Sequence, residues 1–291
     1  MAFNWQTFRT RAFTAIVFVA VMLTGLLWNH WSFLVLFSII HFGCWWEYLK
    51  LTEKIQQTIF HPYTKLGFMV MGYGLLLWFC RSAYKLSGYG LKESFSFSVS
   101  AAGFALLLLG IFQKQPVKLK AFGTAALGFL YISLSWGLMM NLRTSDLIVI
   151  NTEGGEYFGR DKGFYIPLLI ILSIWINDTM AYIVGSLIGK TPLSKISPKK
   201  TWEGTIGGIT LSVAVISFFL QPLLFWKYLI GISLIASIAG TFGDLLESKL
   251  KRMAGVKDSG HLMPGHGGFL DRFDSLLLAT PFVWLYVQFF M

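Results

Sequence analysis

The stretch "YLIGISLIASIAGTFGDLLESKLKRM", Tyr228–Met253, decides how the rest of the chain is read. It begins as an apolar run and ends in Asp244, Glu247, Lys249, Lys251 and Arg252, with no helix breaker after Gly243. A hydrocarbon core about 30 Å thick needs roughly 20 mostly apolar residues per spanning helix. The stretch therefore reads as one helix that crosses a membrane and carries a polar end past the lipid. Asp244, Glu247, Ser248 and Lys251 fall at i, i+3, i+4 and i+7, which puts two carboxylates, a hydroxyl and a lysine on one stripe. A solvated helix end with an ion-pair ladder has the same spacing. Asp244, however, directly follows a long apolar run, where an unpaired charge costs on the order of 3 kcal/mol, so a functional role is the stronger reading.

Composition extends this reading to the whole chain. Its 291 residues are 55% hydrophobic, 17% aromatic and only 13% charged, with a mean hydropathy of +0.62. A soluble domain carries about a quarter charged residues, so the chain falls in the membrane class. Apolar runs recur at about 12–28, 31–49, 63–80, 95–112, 121–141, 164–187, 205–225, 228–248 and 275–290. Lipid offers backbone groups no hydrogen-bond partner, so these runs are expected to be helices. The expectation is an all-α polytopic membrane protein with about nine transmembrane helices. Arg9 and Arg11 precede the first run, but a second run follows at once through "NHW" with no small-residue cleavage pattern, so the first reads as a retained anchor. Cys44 and Cys80 sit in apolar runs without ligand spacing and read as buried thiols.

A formal net charge of +10 raises the question of nucleic acid, and the placement of the charges answers it. Of the 24 Lys and Arg residues, 17 lie in alternate loops counted from the N-terminus and 7 in the others. The positive-inside rule then sets the N-terminus in the cytoplasm and the C-terminus outside, and no nucleic-acid partner is expected. The long outward loop "TSDLIVINTEGGEYFGRDKG" suggests no chemistry. Polar signals concentrate after residue 177, which divides the chain into a scaffold of about five helices, residues 1–163, and a catalytic half of about four, residues 164–291.

In that second half, "DRFDS" places Asp271 and Asp274 one turn apart at a helix start. Ordinary capping needs only one of them. If both helix ends meet at one membrane face, Asp244, Asp271 and Asp274 converge, and three clustered carboxylates call for a hard cation such as Mg²⁺. Mg²⁺ completes its shell with water and phosphate oxygens, which points to a nucleotide or phosphate substrate.

Between the two helix ends lies "KDSGHLMPGHGG", Lys257–Gly268, where Gly267, Gly268 and His266 offer an anion cradle or merely a turn. Lys249, Lys251, Arg252, Lys257 and Arg272 surround it together with Asp258. Basic residues alone would serve as lipid anchors, and interleaved acids argue for more.

A second basic block, "GKTPLSKISPKKTWEGTIGG", sets Lys190, Lys195, Lys199 and Lys200 beside Ser197 and Thr201 before a helix start. It lacks the GxxxxGK[ST] spacing of a soluble ATPase loop, but it suits a triphosphate at a helix N-terminus. Glu203 fits there only against a lysine or a metal. Asp178, inside the run "WINDTMAYIVGSLIGK", is an intramembrane acid and a site candidate on that ground. Glu47, in "CWWEYLK", reads either the same way or as an i, i+3 pair with Lys50.

These residues resemble the phosphatidate cytidylyltransferase (CDP-diacylglycerol synthase) family. "SKLKRMAGVKDSGHLMPGHGGFLDRFD", Ser248–Asp274, follows the family signature at every defined position except Met263, a conservative apolar change. The upstream "SPKKTWEG" is similar as well. The likeness is sharp over Asp178–Asp274 and general before that. It implies CTP plus phosphatidate giving CDP-diacylglycerol and pyrophosphate, with Mg²⁺ required and K⁺ as a second cation. It also implies a homodimer of nine-helix chains in the cell (inner) membrane, with the active site facing the cytoplasm.

By motif, Asp244, Asp271 and Asp274 would hold cations and, with Lys251, act in catalysis, and Ser248, Lys251 and the His266–Gly268 turn would contact phosphate. Arg252, Lys257, Asp258, Arg272, Ser197, Lys199, Lys200, Thr201, Glu203 and Asp178 complete the expected substrate-binding set. Two rivals stay open: an enzyme activating another lipid phosphate, and a cation-coupled transporter using Asp178.

Overall fold

The computed structural model describes residues 5–113, 118–144, 163–221, 224–260 and 267–291, with residues 5–12 as backbone only. Its elements are α1 (Trp5–Leu27), α2 (His30–Gln56), α3 (Pro62–Trp78), a hairpin of β1 (Lys85–Leu86) and β2 (Tyr89–Gly90), α4 (Phe97–Ile111), α5 (Leu119–Ala126), α6 (Ser135–Arg143), α7 (Tyr165–Ile188), α8 (Trp202–Leu220), α9 (Trp226–Met253) and α10 (Leu270–Phe290). A π-helical segment, Leu91–Ser96, leads into α4, and another, Phe129–Leu134, joins α5 to α6. Among the described residues the architecture is all-α apart from that two-residue ladder and an isolated bridge between Pro192 and Thr201.

Among the described residues, seven helical rods are long and apolar enough to cross a membrane: His30–Gln56, Leu91–Ile111, Leu119–Arg143, Tyr165–Ile188, Trp202–Leu220, Trp226–Met253 and Leu270–Phe290. The other two expected spans are shorter. The apolar part of α1 covers Phe13–Leu27, and α3 has 17 residues. Large apolar side chains remain outward on several rods, with Phe104 53%, Phe218 69% and Phe219 69% exposed, as a lipid-facing surface requires. At 28 residues, α9 is about 42 Å long at 1.5 Å per residue, more than the hydrocarbon core needs, so its charged last turns project beyond it.

The chain divides into two compact units, residues 1–137 with 250–273 and residues 138–249 with 274–291. In the first unit α2 is the organising helix. Asn29 caps it reciprocally with Ser32, and its end at Gln57 turns left-handed (φ 47°). Its buried Trp45 donates Nε1–H to Ser133 Oγ at 2.9 Å, and His41 Nε2 lies 3.1 Å from the same hydroxyl. Tyr48 O–H donates to the Thr124 carbonyl at 2.7 Å. Apolar burial supplies no net drive between helices already in lipid, so such satisfied polar contacts and close packing hold the bundle.

The second unit uses hydroxyls in the same way. Ser212 Oγ donates to the Ser173 carbonyl at 2.8 Å, Ser237 Oγ to Ser212 Oγ at 3.3 Å, and Asn177 Nδ2 to Thr241 Oγ1 at 3.3 Å. These links tie α7, α8 and α9 together. Thr241 lies one turn before Asp244, so α9 is held where its acidic stripe begins.

Candidate active site

In the second unit α9 supplies Asp244 and Glu247, and α10 supplies Asp274. One oxygen of each lies within 4.8 Å of the others. Glu247 is fully buried and Asp274 is 7% exposed. The close approach of the helices depends on Gly243, where a Cβ would fall 2.5 Å from the Asp274 carbonyl oxygen and 2.9 Å from the Ser275 Cα. Each carboxylate pair at such a separation repels by about 3–4 kcal/mol at an effective dielectric near 20. Lys200 Nζ is ion-paired with Asp244 Oδ2 and offsets part of this repulsion. Lys200 and Asp244 are also the charged neighbours of Asp178, whose Oδ1 accepts from Asn177 Nδ2 at 3.4 Å. Three carboxylate oxygens gathered from two helices are a hard donor set, and they fit Mg²⁺.

The third acid of this group is Glu247, where Asp271 was expected. Asp271 lies in the first unit, and donors account for its position. Its Oδ1 accepts from Lys251 Nζ at 2.6 Å, and its Oδ2 accepts from Ser259 N at 2.9 Å, Ser259 Oγ at 2.9 Å and Gly268 N at 2.8 Å. These donors come from the segment before α10 and from the end of α9, and they meet the charge of Asp271. Lys251, expected on phosphate, is the ion partner of this acid. The signal for Glu247 was present in the i, i+3 spacing after Asp244, but it falls outside the Ser248–Asp274 signature.

The block before α8 closes on itself. Leu193 N donates to the Lys200 carbonyl at 2.7 Å, and Trp202 N donates to the Thr191 carbonyl at 2.9 Å. Thr201 Oγ1 caps α8 by accepting from Gly204 N at 3.1 Å. Glu203 accepts the backbone N–H groups of Lys190 and Thr191, each at 3.2 Å. Thr201 and Glu203 were both expected on substrate, and these bonds of theirs are internal to the loop. The Ser197 carbonyl accepts from Lys200 N, Lys199 is exposed, and Lys200 alone of this block reaches the acids.

Lys257 and Asp258, both exposed, line an open cleft of about 950 Å³ in the first unit together with Lys50, Glu53 and Lys54. Ser248 is half-buried, while Arg252 and Arg272 are exposed. Gly267 takes a left-handed φ of 82°. His266 and residues 145–162 of the long outward loop lie outside the described residues. Glu47 does not pair with Lys50, whose Nζ sits 4.8 Å over the Trp46 ring.

Comparison with known proteins identifies the family. A family model described as "Cytidylyltransferase family" matches residues 9–290. The phosphatidate cytidylyltransferase of Staphylococcus aureus (strain COL) is 45% identical over 129 residues, which cover 43% of this chain and 50% of that protein. This chain thus spans about half the length of the Staphylococcus relatives it matches. The phosphatidate cytidylyltransferase of Bacillus subtilis (strain 168) is 37% identical over 194 residues, covering 64% of this chain and 67% of that protein. With nearly its whole length matched, the chain belongs to the cytidylyltransferase family.

Proposed function

We propose that this protein is a membrane-embedded phosphatidate cytidylyltransferase, making CDP-diacylglycerol and pyrophosphate from CTP and phosphatidate. The observation that carries the reading is the gathering of Asp244, Glu247 and Asp274 beside Lys200 in a chain of this family. Supporting it are the polar, basic end of α9 and the relatives' shared name.

In the reaction a phosphate oxygen of the lipid attacks the α-phosphorus of CTP in line, and the bond to the β-phosphate oxygen breaks. Pyrophosphate leaves with that electron pair. The attacking phosphate is already anionic near neutral pH, so no strong general base is needed, and catalysis comes from positioning and charge neutralisation. Mg²⁺, when held by Asp244, Glu247 and Asp274, supplies positive charge against the phosphate oxygens. Lys200 holds Asp244 in place and adds a cation to the same neighbourhood. Lys257 and Arg252 are among the exposed cations of the first unit, and K⁺ is a second cation that the family resemblance implies.

We assign nine spans, counting α1 and α3 as the two short ones. The N-terminus and the basic segments face the cytoplasm, where CTP is available, and the protein is an inner-membrane homodimer. The 17 basic residues in alternate loops support that orientation. The test is to incubate detergent-purified protein with α-labelled CTP, phosphatidate and Mg²⁺. A labelled lipid with release of pyrophosphate is expected. No labelled lipid with phosphatidate, but one with a polyprenyl or ether-lipid phosphate, reassigns the substrate. None with any nucleotide defeats the reading.

A further inference from the structure

Glu47 lies in the middle of the α2 sequence, more than two hundred residues from the signature, and is 5% exposed. A buried carboxylate in a membrane protein must have its charge met, and the groups that meet it here are specific. Its Oε1 accepts from Phe269 N at 3.0 Å, and its Oε2 accepts from Leu270 N at 2.8 Å and from Ser259 Oγ at 2.7 Å. Among the described residues it has no Lys or Arg ion partner. Its donors are the first free N–H groups of α10 and the hydroxyl at the other end of the segment entering that helix. All of these residues belong to the first unit.

Ser259 joins two acids. Its Oγ stands 2.7 Å from Glu47 Oε2 and 2.9 Å from Asp271 Oδ2, so one hydroxyl proton serves both carboxylates. Asp271 in turn fixes Lys251 and Gly268 N. A side chain at either glycine beside the Glu47 carboxylate would displace it. A Cβ on Gly268 would fall 2.5 Å from the Glu47 Cδ, and one on Gly260 would fall 2.6 Å from it. Gly260 and Gly268 are thus matched to a carboxylate delivered by a helix distant in sequence.

We infer that Glu47 is a positioning residue for the proposed reaction: it pins Ser259 to the first turn of α10 and so sets Gly268, Asp271 and Lys251 in register. It touches no substrate and acts through the backbone it holds. The activity arm of the test rests on the proposed function, and the exchange arm does not.

The experiment compares wild type with Glu47→Gln, Glu47→Asp, Gly268→Ala and the Glu47→Gln/Gly268→Ala double variant. Amide hydrogen exchange and the kinetics of labelled lipid formation are read on each purified protein. Glu47→Gln is expected to speed exchange at Phe269 and Leu270 while the interiors of α2 and α9 stay protected. It is expected to lower kcat roughly 10- to 100-fold, the scale of losing hydrogen bonds to a charged group. Glu47→Asp, which keeps the charge, should recover part of that loss. Gly268→Ala should reproduce it, and the double variant should lose little more than either single change.

Unchanged exchange at Phe269 and Leu270, loosening of all helices alike, or additive kcat losses would each overturn the inference. If Glu47→Gln does not fold, Ser259→Ala replaces it, with the same expected site of faster exchange and a smaller kcat loss. A wild type that makes no labelled lipid defeats the proposed reaction, while the exchange arm still decides whether Glu47 holds the turn.

Discussion

Asp271 and Asp274 stand one helical turn apart at the start of α10, and their carboxylates have different neighbours. Asp271 is met by donors: a lysine ammonium, two backbone N–H groups and a hydroxyl. Asp274 accepts from Ser275 N at 2.6 Å and is gathered with two further acids, Asp244 and Glu247. An acid supplied with several donors fixes backbone. An acid placed among acids is stabilised by added positive charge, which favours the binding of a cation. The comparison teaches that residue type and spacing nominate a carboxylate, while the donors around it decide its work.

The sharpest way to break this contrast is at the gathered acids. Asp244→Asn or Asp274→Asn should lower turnover about 100- to 1,000-fold, the scale of losing a preorganised electrostatic contact. The variants should elute from size exclusion as wild type does, since removing one of three like charges relieves repulsion. Asp271→Asn should behave differently. It should lose about 1.5–3 kcal/mol of stability along with roughly 10- to 100-fold in turnover, because its donors are left facing a neutral amide. Thermal melting followed beside activity separates the two classes.

Lys200→Gln sharpens the contrast from the other side. Freed of its internal counter-ion, Asp244 should draw cations more strongly, so the Mg²⁺ concentration for half-maximal rate should fall several-fold while the maximal rate drops about tenfold. The smallest effect belongs to Thr201→Ala. Loss of the α8 cap should cost about 1 kcal/mol, seen as a melting shift of a few degrees, with turnover reduced less than by any change above.

Much of this was legible in the chain itself. The apolar runs, the continuous helix through Tyr228–Met253 and the nomination of Asp244 and Asp274 follow from hydropathy and i, i+3 spacing, which depend on one segment at a time. The signature likewise led to the family. The role of Glu47 was not legible, because its partners Ser259, Phe269 and Leu270 lie in a segment that only folding brings to α2. The same holds for the exchange of Glu247 for Asp271. Helix periodicity puts both Asp271 and Asp274 at the start of α10, and only the competing donors at Ser259, Gly268 and Lys251 decide which one is taken. Glu203 and Thr201 looked like ligands because hydroxyls and acids before a helix suit a phosphate, yet the same chemistry closes the 190–204 loop and caps α8.

The measurement closest to the central claim is direct titration of the purified protein with Mn²⁺, a spectroscopic substitute for Mg²⁺, followed by electron paramagnetic resonance. One bound ion per chain is expected in wild type and in Thr201→Ala, displaced by excess Mg²⁺ and lost or severely weakened in both Asp244→Asn and Asp274→Asn. Mn²⁺ binding of undiminished affinity in those two variants would contradict the account.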